Sequence, residues 1–414
     1  MKRIYLTILI YPLWSLILSF RYYRIPQAKN LFWLFCIFLG MIHIYSPEGS
    51  EDTTDGYRYA QGFSELHDNP VSLQLYFSSF YKEGGIIDIY QPVVTYFLSI
   101  FTGDARWLFF IFAIVFGFFY SRNCWLLLEK IPKKLDIPLI LLLFYFILIC
   151  PIWSINGVRM WTAFHVFVYG ALPFLFNGDK SKLIFCFLSL FIHFSFVFPL
   201  GILIVYYFIP KSLNFFLILY LISFFMRELD IEQIREFLVS NAPSFLSDRA
   251  VGYTNEAYIQ QVKEQKSEMN FYVDGSYIIS QWLITALLVV VCIWGRKLIQ
   301  NSPKLLDLTC FSLFIYAISN ILSVIPAIGR FTILSQMFAF AAVTLFYIYY
   351  TQQTEQQKEV SLAYKYLPIL LLFPVIVILR QGCDYYGISL FFNPIAALFI
   401  EDNQPFINLI KSIF

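Results

Sequence analysis

Apolar stretches of helical length dominate the chain, and short polar turns separate them. A helix needs about 20 mostly apolar residues to cross the hydrocarbon of a bilayer. The stretches are Ile4–Phe20, Leu31–Tyr45, Trp107–Leu128, Pro138–Trp153, Val158–Phe176, Leu183–Ile209, Phe215–Met226, Tyr277–Trp294, Leu305–Pro326, Phe331–Tyr350 and Tyr366–Leu379. This pattern predicts one all-α polytopic membrane domain over residues 1–414, with about 12 transmembrane helices.

Composition excludes several other classes of protein. Hydrophobic residues make up 59% of the chain and charged residues 14%. Soluble domains carry about 25% charged residues, so a soluble domain, a disordered chain and a coiled coil are all excluded. A net charge of +2 is too small to indicate nucleic acid as a partner. The seven cysteines form no CxxC or Cys/His motif, so we expect small core residues rather than a metal site or a disulfide framework.

Lys and Arg in the short loops predict how the chain is oriented, because such loops stay in the cytoplasm. The basic short loops are Arg21–Lys29, Lys130–Lys134, Lys180–Lys182, Lys211, Arg296–Lys304 and Lys358–Lys365. Two long polar loops, at about 46–106 and 227–276, should then lie outside. The N-terminus is typical of a signal peptide but lacks a small-x-small cleavage site, so Ile4–Phe20 is interpreted as an uncleaved first helix.

The stretch Leu183–Ile209 must contain a break. Both long loops lie outside, so an even number of crossings separates them, yet five apolar stretches occur between them. As one helix, Leu183–Ile209 would be about 40 Å long against a hydrocarbon core of about 30 Å. We therefore expect a bend or a hairpin near His193, which places this residue toward the outer face.

Short helices are expected in the outer loops. Thr54 or Asp55 is a candidate N-cap for a helix that starts near Tyr57. Asn69-Pro70 has the residue types of a helix start, and Asp88–Phe101 is apolar but too short to span. The C-terminal region carries further candidate starts at Asn393-Pro394 and Gln404-Pro405, and Glu228–Leu238 has helical periodicity.

Two arginines at outer-facing turns are candidate anion ligands. Arg159 follows Ser154–Val158, and Arg330 follows Pro326–Gly329. Guanidinium is always charged and matches phosphate oxygens with its fixed N–H donors. The alternative is an arginine that snorkels to the interface. Arg249, in the second outer loop, is a third candidate, and its alternative is a solvated charge paired with Asp248.

Two histidines lie at membrane depth, where ionisable residues are costly. His193 at a helix break could act as a base or donate to phosphate, and the alternative is a ring that binds a carbonyl freed by the bend. His165 is a weaker candidate, because it shares a helix face with Trp161 and Tyr169 rather than with Arg159.

Acidic and aromatic residues open the first outer loop. Asp52, Asp55 and Arg58 occur in Glu51–Tyr59. A carboxylate here could take a proton from a sugar hydroxyl or bind a divalent cation, although the spacing matches no metal-binding motif. P-loop, GxSxG and HExxH motifs are absent from the sequence, which leaves an ATPase, a serine hydrolase and a zincin without support.

The order of several short blocks resembles the EpsG-like family of Wzy-type polysaccharide polymerases, which make O-antigen, capsule or exopolysaccharide. The blocks span about residues 50–335. They are Asp55-Gly56-Tyr57-Arg58-Tyr59, Asp88-Ile89-Tyr90-Gln91-Pro92, Val158-Arg159-Met160-Trp161-Thr162-Ala163, Ile192-His193-Phe194-Ser195, Arg249…Tyr253 and Gly329-Arg330-Phe331. One departure is Val158, where the family often has a larger aliphatic residue.

The resemblance implies a GT-C-like glycosyltransferase that needs no metal or other cofactor. Such enzymes join oligosaccharide units carried on undecaprenyl pyrophosphate at the periplasmic face of the bacterial inner membrane. Expected partners are the lipid-linked donor and acceptor, membrane lipid and a chain-length regulator, and no nucleic acid.

Roles for the site residues follow from the chemistry of this reaction, and His193 and Asp55 are the two candidates for the base that takes the proton of the acceptor hydroxyl. The expected catalytic residues are His193 as base or phosphate donor, Asp55 for orienting the acceptor, and Arg159. The expected substrate-binding residues are Arg330, Arg249, Tyr253, Asp52, Arg58 and His165.

Two other functions remain open. A ligase would move the glycan to a different acceptor by the same chemistry. A flippase for the lipid-linked sugar should show inverted repeats and polar residues near the midplane. The sequence shows no internal repeat, and its polar residues cluster toward one face, which favours an enzyme.

Overall fold

The computed structural model describes residues 5–45, 54–78, 80, 87–131, 135–226, 260, 264, 269–352, 366–400 and 403–412. Over these residues the chain is helical and forms no β-strand. Asp52, Arg249, Tyr253 and the predicted helix 228–238 lie outside the described residues.

Nineteen α-helices are described, and we number them in chain order. The first twelve are α1 Thr7–Ile10, α2 Pro12–Arg21, α3 Ala28–Met41, α4 Asp55–Asp68, α5 Leu73–Phe77, α6 Tyr90–Ser99, α7 Ala105–Leu128, α8 Ile137–Leu148, α9 Val158–Asn177, α10 Leu183–Ile192, α11 Val197–Phe208 and α12 Leu213–Ser223. The others are α13 Phe271–Trp294, α14 Arg296–Asn301, α15 Pro303–Ile321, α16 Pro326–Thr351, α17 Leu372–Gly382, α18 Pro394–Leu398 and α19 Phe406–Lys411.

The apolar helices identify a membrane-embedded protein. Five described segments are long and apolar enough to cross a bilayer, namely Ala105–Leu128, Ile137–Asn177, Phe271–Trp294, Pro303–Ile321 and Gly329–Thr351. The second of these contains both α8 and α9, joined by a 3-10 turn over Ile152–Gly157. Further apolar runs form shorter helices of 10–17 residues. The helical class predicted from sequence is therefore confirmed, whereas the structure gives fewer helices of full spanning length than the sequence predicts.

Helices pack closely where small residues let their backbones approach. Gly170 of α9 faces α10, and an added Cβ there would lie 2.6 Å from Cys186 Sγ and 2.8 Å from the carbonyl oxygen of Lys182. Small residues play this role at helix interfaces in membranes. The cysteines are free thiols, and all except Cys383 are buried, as the sequence predicts.

The predicted break at His193 is confirmed. Helix α10 ends at Ile192, a 3-10 turn covers Phe194–Phe196, and α11 begins at Val197. His193 itself has extended backbone angles, φ −148° and ψ 113°. The backbone amide freed by the break is satisfied from another part of the chain, because Phe194 N–H donates to Asp88 Oδ1 over 2.8 Å.

The chain reverses direction at this break. Helix α10 begins beside Gly170, about 18 Å along α9 from its first residue, and ends at His193. Helix α11 leaves His193 and brings the Tyr206 hydroxyl to the carboxylate of Asp307, near the start of α15. Six helices, α7 to α12, lie between the two predicted long loops, because the stretch Leu183–Ile209 forms two helices rather than one.

Two predicted helix boundaries are wrong. The first apolar stretch is not one helix, because Tyr11 is extended and Pro12 begins α2. The residue before a proline is biased toward extended angles, and the missing proline N–H costs nothing at the first position of a helix. Asn69 ends α4 rather than starting a helix, and α5 begins after Ser72, whose hydroxyl accepts a hydrogen bond from Leu75 N–H. The predicted starts at Asn393 and Pro405 are confirmed by α18 and α19.

Candidate functional site

A cavity of about 550 Å³ opens at one end of the helical bundle. Its walls come from the start of α4, the α8–α9 turn, the break between α10 and α11, the starts of α13 and α16, and the end of α17. The ionisable residues other than tyrosines that line it are Asp55, Arg159, His193, Arg330, Arg380 and Asp384. Four of the residues predicted from sequence thus come together from distant parts of the chain.

Local capping places Asp55 at the cavity wall. Thr54 is the N-cap of α4, as predicted, and its hydroxyl accepts a hydrogen bond from Tyr57 N–H. Asp55 is then the first helical residue and forms an ion pair with Arg58 one turn later. Gly56 packs directly against the α8–α9 turn, where an added Cβ would overlap the side chain of Asn156. This close packing fixes Asp55 beside the start of α9.

Asp88 lies behind the cavity wall and contacts two of the residues that line it. Its side chain is only 1% exposed. Oδ2 accepts a hydrogen bond from Arg159 Nη1 over 3.1 Å, and Oδ1 accepts the bond from Phe194 N–H. His193 Nδ1 stands 3.4 Å from the same Oδ1. One buried carboxylate therefore holds both the arginine and the histidine.

The Asp88 carboxylate is ionised despite its burial. Burial alone raises the pKa of a carboxyl group, because the charged form loses its hydration. Here the neighbouring His193, the Phe194 N–H and the Arg159 guanidinium outweigh that effect and hold the pKa of Asp88 below its ordinary value. His193 Nδ1 makes no aligned hydrogen bond with any described residue, so its 3.4 Å contact with Asp88 Oδ1 leaves the ring room to adjust.

Arg159 is anchored on one side and open on the other. Its Nε donates to the Tyr59 hydroxyl over 3.0 Å, and Nη1 donates to Asp88. These bonds use two of the five N–H donors of a guanidinium. The side chain is 32% exposed and lines the cavity, so its other donors are accessible to a bound anion. Burial raises the pKa of the Tyr59 phenol, which keeps the hydroxyl neutral and its oxygen free to accept from Arg159.

Two more arginines line the cavity, from the start of α16 and the end of α17. Arg330 lies in the first turns of α16, is exposed, and has no carboxylate partner among the described residues. Arg380, in the last turn of α17, donates to Asp384 Oδ2 over 3.0 Å. Burial raises the pKa of Asp384 even beside this guanidinium. Arg330 is thus the cavity cation whose charge is least compensated by the described residues.

Arg380 and Asp88 were not predicted as site residues. Arg380 directly follows the apolar stretch Tyr366–Leu379. A charged residue at the end of an apolar helix is the sequence feature that could have identified it as a site residue. Asp88 was named only as part of a short block before an apolar helix. The sequence feature that could have identified Asp88 is an acidic residue directly before an apolar helix.

Two predicted site residues lie elsewhere. His165 is fully buried, its Nε2 donates to the Cys150 carbonyl over 2.9 Å, and Asn123 occupies the other side of the ring. It is a satisfied core histidine, and the expectation that it binds substrate is corrected. Arg58 is exposed beside Asp55 but lines a neighbouring groove rather than the cavity.

The chemistry available in the cavity follows from these groups. The arginines can bind an anion with several oxygens. The Asp88 carboxylate can orient the imidazole of His193, which can then accept a proton. Within the described parts of the chain, no group of three or more His, Cys, Asp or Glu side chains is placed to hold a metal ion. Comparison with family models, curated proteins and solved structures finds no match for this chain.

Proposed function

We propose that the chain is a membrane glycosyltransferase that polymerises oligosaccharide units carried on undecaprenyl pyrophosphate. The observation that carries the proposal is the convergence of Arg159, Arg330 and the Asp88–His193 pair on one cavity at the end of an apolar bundle. A polyprenyl pyrophosphate substrate needs cations at such an end and apolar surface beside it. The resemblance of the short blocks supports the same assignment.

The arginines stabilise the leaving group. As the bond between the anomeric carbon and the pyrophosphate oxygen breaks, negative charge grows on the pyrophosphate. Donors that already point at this charge stabilise the transition state more than the ground state. Arg159 is pre-oriented by Tyr59 and Asp88, and Arg330 lines the same cavity from the start of α16. In this proposal the pyrophosphate binds to both arginines.

His193 accepts the proton of the attacking hydroxyl. The hydroxyl oxygen of the acceptor sugar forms the new bond to the anomeric carbon of the donor, and its proton moves to the imidazole. Because Nδ1 faces Asp88, the acceptor atom is Nε2. The Asp88 carboxylate stabilises the imidazolium that results, as the orienting acid does in a catalytic triad. The products are the extended glycan and free lipid pyrophosphate.

Asp55 orients the acceptor in this scheme. It is the first residue of α4 and lines the same cavity as His193. Its carboxylate accepts hydrogen bonds from sugar hydroxyls, and its pair with Arg58 limits its movement. We place the protein in the bacterial inner membrane with the cavity at the periplasmic face, in a GT-C-like arrangement.

Reconstitution tests this proposal. Purified protein in nanodiscs is given lipid-linked repeat units extracted from the producing cells, and products are resolved on a gel. The parent should yield a ladder of polymers. Arg159→Ala and Arg330→Ala should each lower the rate about 10²–10³-fold, as loss of one transition-state donor does. Lysine at either position should rescue poorly, because an ammonium lacks the two-pronged geometry.

Arg296→Ala is the matched control, since Arg296 is exposed on α14 at the opposite end of the bundle. A ladder of parental length from either cavity variant would remove that arginine from the site. Transfer of a unit to a different acceptor, without a ladder, would identify a ligase. Movement of the lipid-linked unit across the membrane with no new glycosidic bond would identify a flippase.

A further inference from the structure

A second concave surface continues from the cavity along α4. This outer groove has a volume of about 330 Å³ and shares Tyr59 with the cavity. Residues 58, 59, 62, 65 and 66 of α4 contribute to it, together with Asn69 directly after the helix. They form one face over about 16 Å. Tyr76 of α5 and Gln91 of α6 form the opposite side. The groove and the cavity are therefore adjacent, with Tyr59 in the lining of both.

The groove has the chemistry of a surface that binds hydroxyl groups. Arg58 supplies donors, Glu65 supplies acceptors, and the Gln91 amide supplies both. Gln91 is held in place because its Nε2 donates to Thr95 Oγ1 over 2.9 Å. Tyr76 is fixed by the bond from its hydroxyl to the Pro92 carbonyl and by its ring contact with Tyr96 at 4.9 Å. Rigid polar and aromatic groups of this kind fix the orientation of a ligand in a site.

The charges of the groove select against other ligands. Arg58 already pairs with Asp55, and Glu65 adds an exposed negative charge, so a phosphate is not favoured here. Leu66 is the one aliphatic side chain of the described lining, so a lipid chain has little to contact. The groove therefore differs from the cavity, where Arg330 has no compensating carboxylate among the described residues.

We propose that the outer groove binds the glycan part of the substrate, a chain of several sugars whose reacting end lies in the cavity. This assignment rests on the proposed function, since a glycosyltransferase must hold the sugars beyond the bond that it forms. Arg58, predicted from sequence to bind substrate, then contacts sugar in the groove rather than pyrophosphate in the cavity.

Binding measurements test the groove separately from catalysis. The probe is the lipid-free oligosaccharide released by mild acid from the lipid-linked units, titrated against full-length protein in nanodiscs. The variant is Glu65→Ala/Gln91→Ala. It should bind the oligosaccharide at least about tenfold more weakly than the parent, or about 1.4 kcal/mol. Its affinity for inorganic pyrophosphate should be unchanged, because the cavity arginines are intact.

Gln61→Ala/Asp68→Ala is the matched control, because it removes the same two functional groups from exposed positions of α4 outside the groove. It should bind both probes as the parent does. Thermal unfolding of each variant shows whether the fold is retained, and Gln91→Glu replaces the double variant if it is not.

The possible results distinguish a failure of the groove assignment from a failure of the proposed function. Equal oligosaccharide affinity in parent and groove variant, or no binding by the parent, overturns the groove, even if the parent polymerises. Weaker oligosaccharide binding by the groove variant, together with a parent that forms no polymer, supports the groove and overturns the proposed function. A parallel loss of pyrophosphate affinity would show a general distortion and would also overturn the groove assignment.

Discussion

The Asp88→Asn substitution tests how the site is organised. Asparagine keeps the volume of the side chain and removes its charge. Phe194 N–H and Arg159 Nη1 both donate to the carboxylate, one to each oxygen. An amide offers one oxygen and one NH₂ group, so at least one of these donors would face another donor.

The magnitude follows from the contacts that are lost. A hydrogen bond to a charged group contributes about 1.5–3 kcal/mol, and Arg159 recovers part of this from water because a third of it is exposed. We therefore expect Asp88→Asn to lower the free energy of unfolding by about 1–3 kcal/mol. We expect kcat to fall about 10²–10³-fold, or about 2.7–4 kcal/mol, because His193 loses its orienting charge.

Single-turnover kinetics on lipid-linked units, with thermal unfolding in parallel, measures both effects. Asp104→Asn is the control, because Asp104 also pairs with an arginine and caps a helix, but lies outside the cavity. It should leave kcat unchanged. A folded Asp88→Asn protein with parental kcat would refute the assignment of Asp88 as the residue that positions His193 and Arg159.

The pH dependence has a defined sign. Because the pKa of Asp88 is lower in the folded state than its ordinary value, its carboxylate stabilises the fold above the unfolded pKa of about 4 and loses this effect as the pH falls through the folded pKa. The stability difference between parent and Asp88→Asn should therefore shrink as the pH falls below about 4. A difference that stays constant or grows as the pH falls below about 4 would contradict this.

Three further predictions concern the hydrogen bond between Tyr59 and Arg159, the packing of α9 against α10, and the orientation of the protein in the membrane. Tyr59→Phe removes the acceptor of the Arg159 Nε–H bond and should raise KM for the donor about three- to tenfold, with the fold intact. Gly170→Ala should lower unfolding stability by about 1–3 kcal/mol, because the added Cβ meets α10, whereas Gly201→Ala meets nothing within 4 Å and should not destabilise. Gln61→Cys should react with an impermeant thiol reagent on intact cells, and Lys297→Cys only after permeabilisation.

Each of these has an outcome that refutes it. An unchanged KM for Tyr59→Phe would mean that the phenol does not orient Arg159. Equal stability of the two alanine variants would show that α9 and α10 are not in close contact at Gly170. Labelling of Lys297→Cys from outside would reverse the orientation derived from the basic loops.

Much of the fold could be predicted because single segments determine it. Apolar length predicts the helices, and the Thr54 hydroxyl determines where α4 begins, since it can cap only the residues that follow it. The break at His193 follows from length and from the parity of crossings, which need no knowledge of packing. Boundaries failed where two local signals competed, as at Asn69, which ends α4 while Ser72 supplies the cap of the next helix.

The site was only partly predictable, because its key contacts join distant positions. Asp88 lies 71 residues before Arg159 and 106 before Phe194, and no local pattern reports such contacts. Periodicity also could not show which face of α9 meets the protein core. His165 faces Asn123 and Cys150 there, whereas Arg159, on a different face, meets the cavity. The arginines could be predicted because they lie at helix ends. Which carboxylates pair with them can be seen only from the packing of the helices.

A structure of the protein with a lipid-linked repeat unit bound tests the central claim most directly. Our account predicts the pyrophosphate within hydrogen-bonding distance of the guanidinium groups of both Arg159 and Arg330, with the anomeric carbon facing the His193 side of the cavity. Pyrophosphate density at any other place on the protein, with these two arginines not in contact with phosphate, would contradict the account.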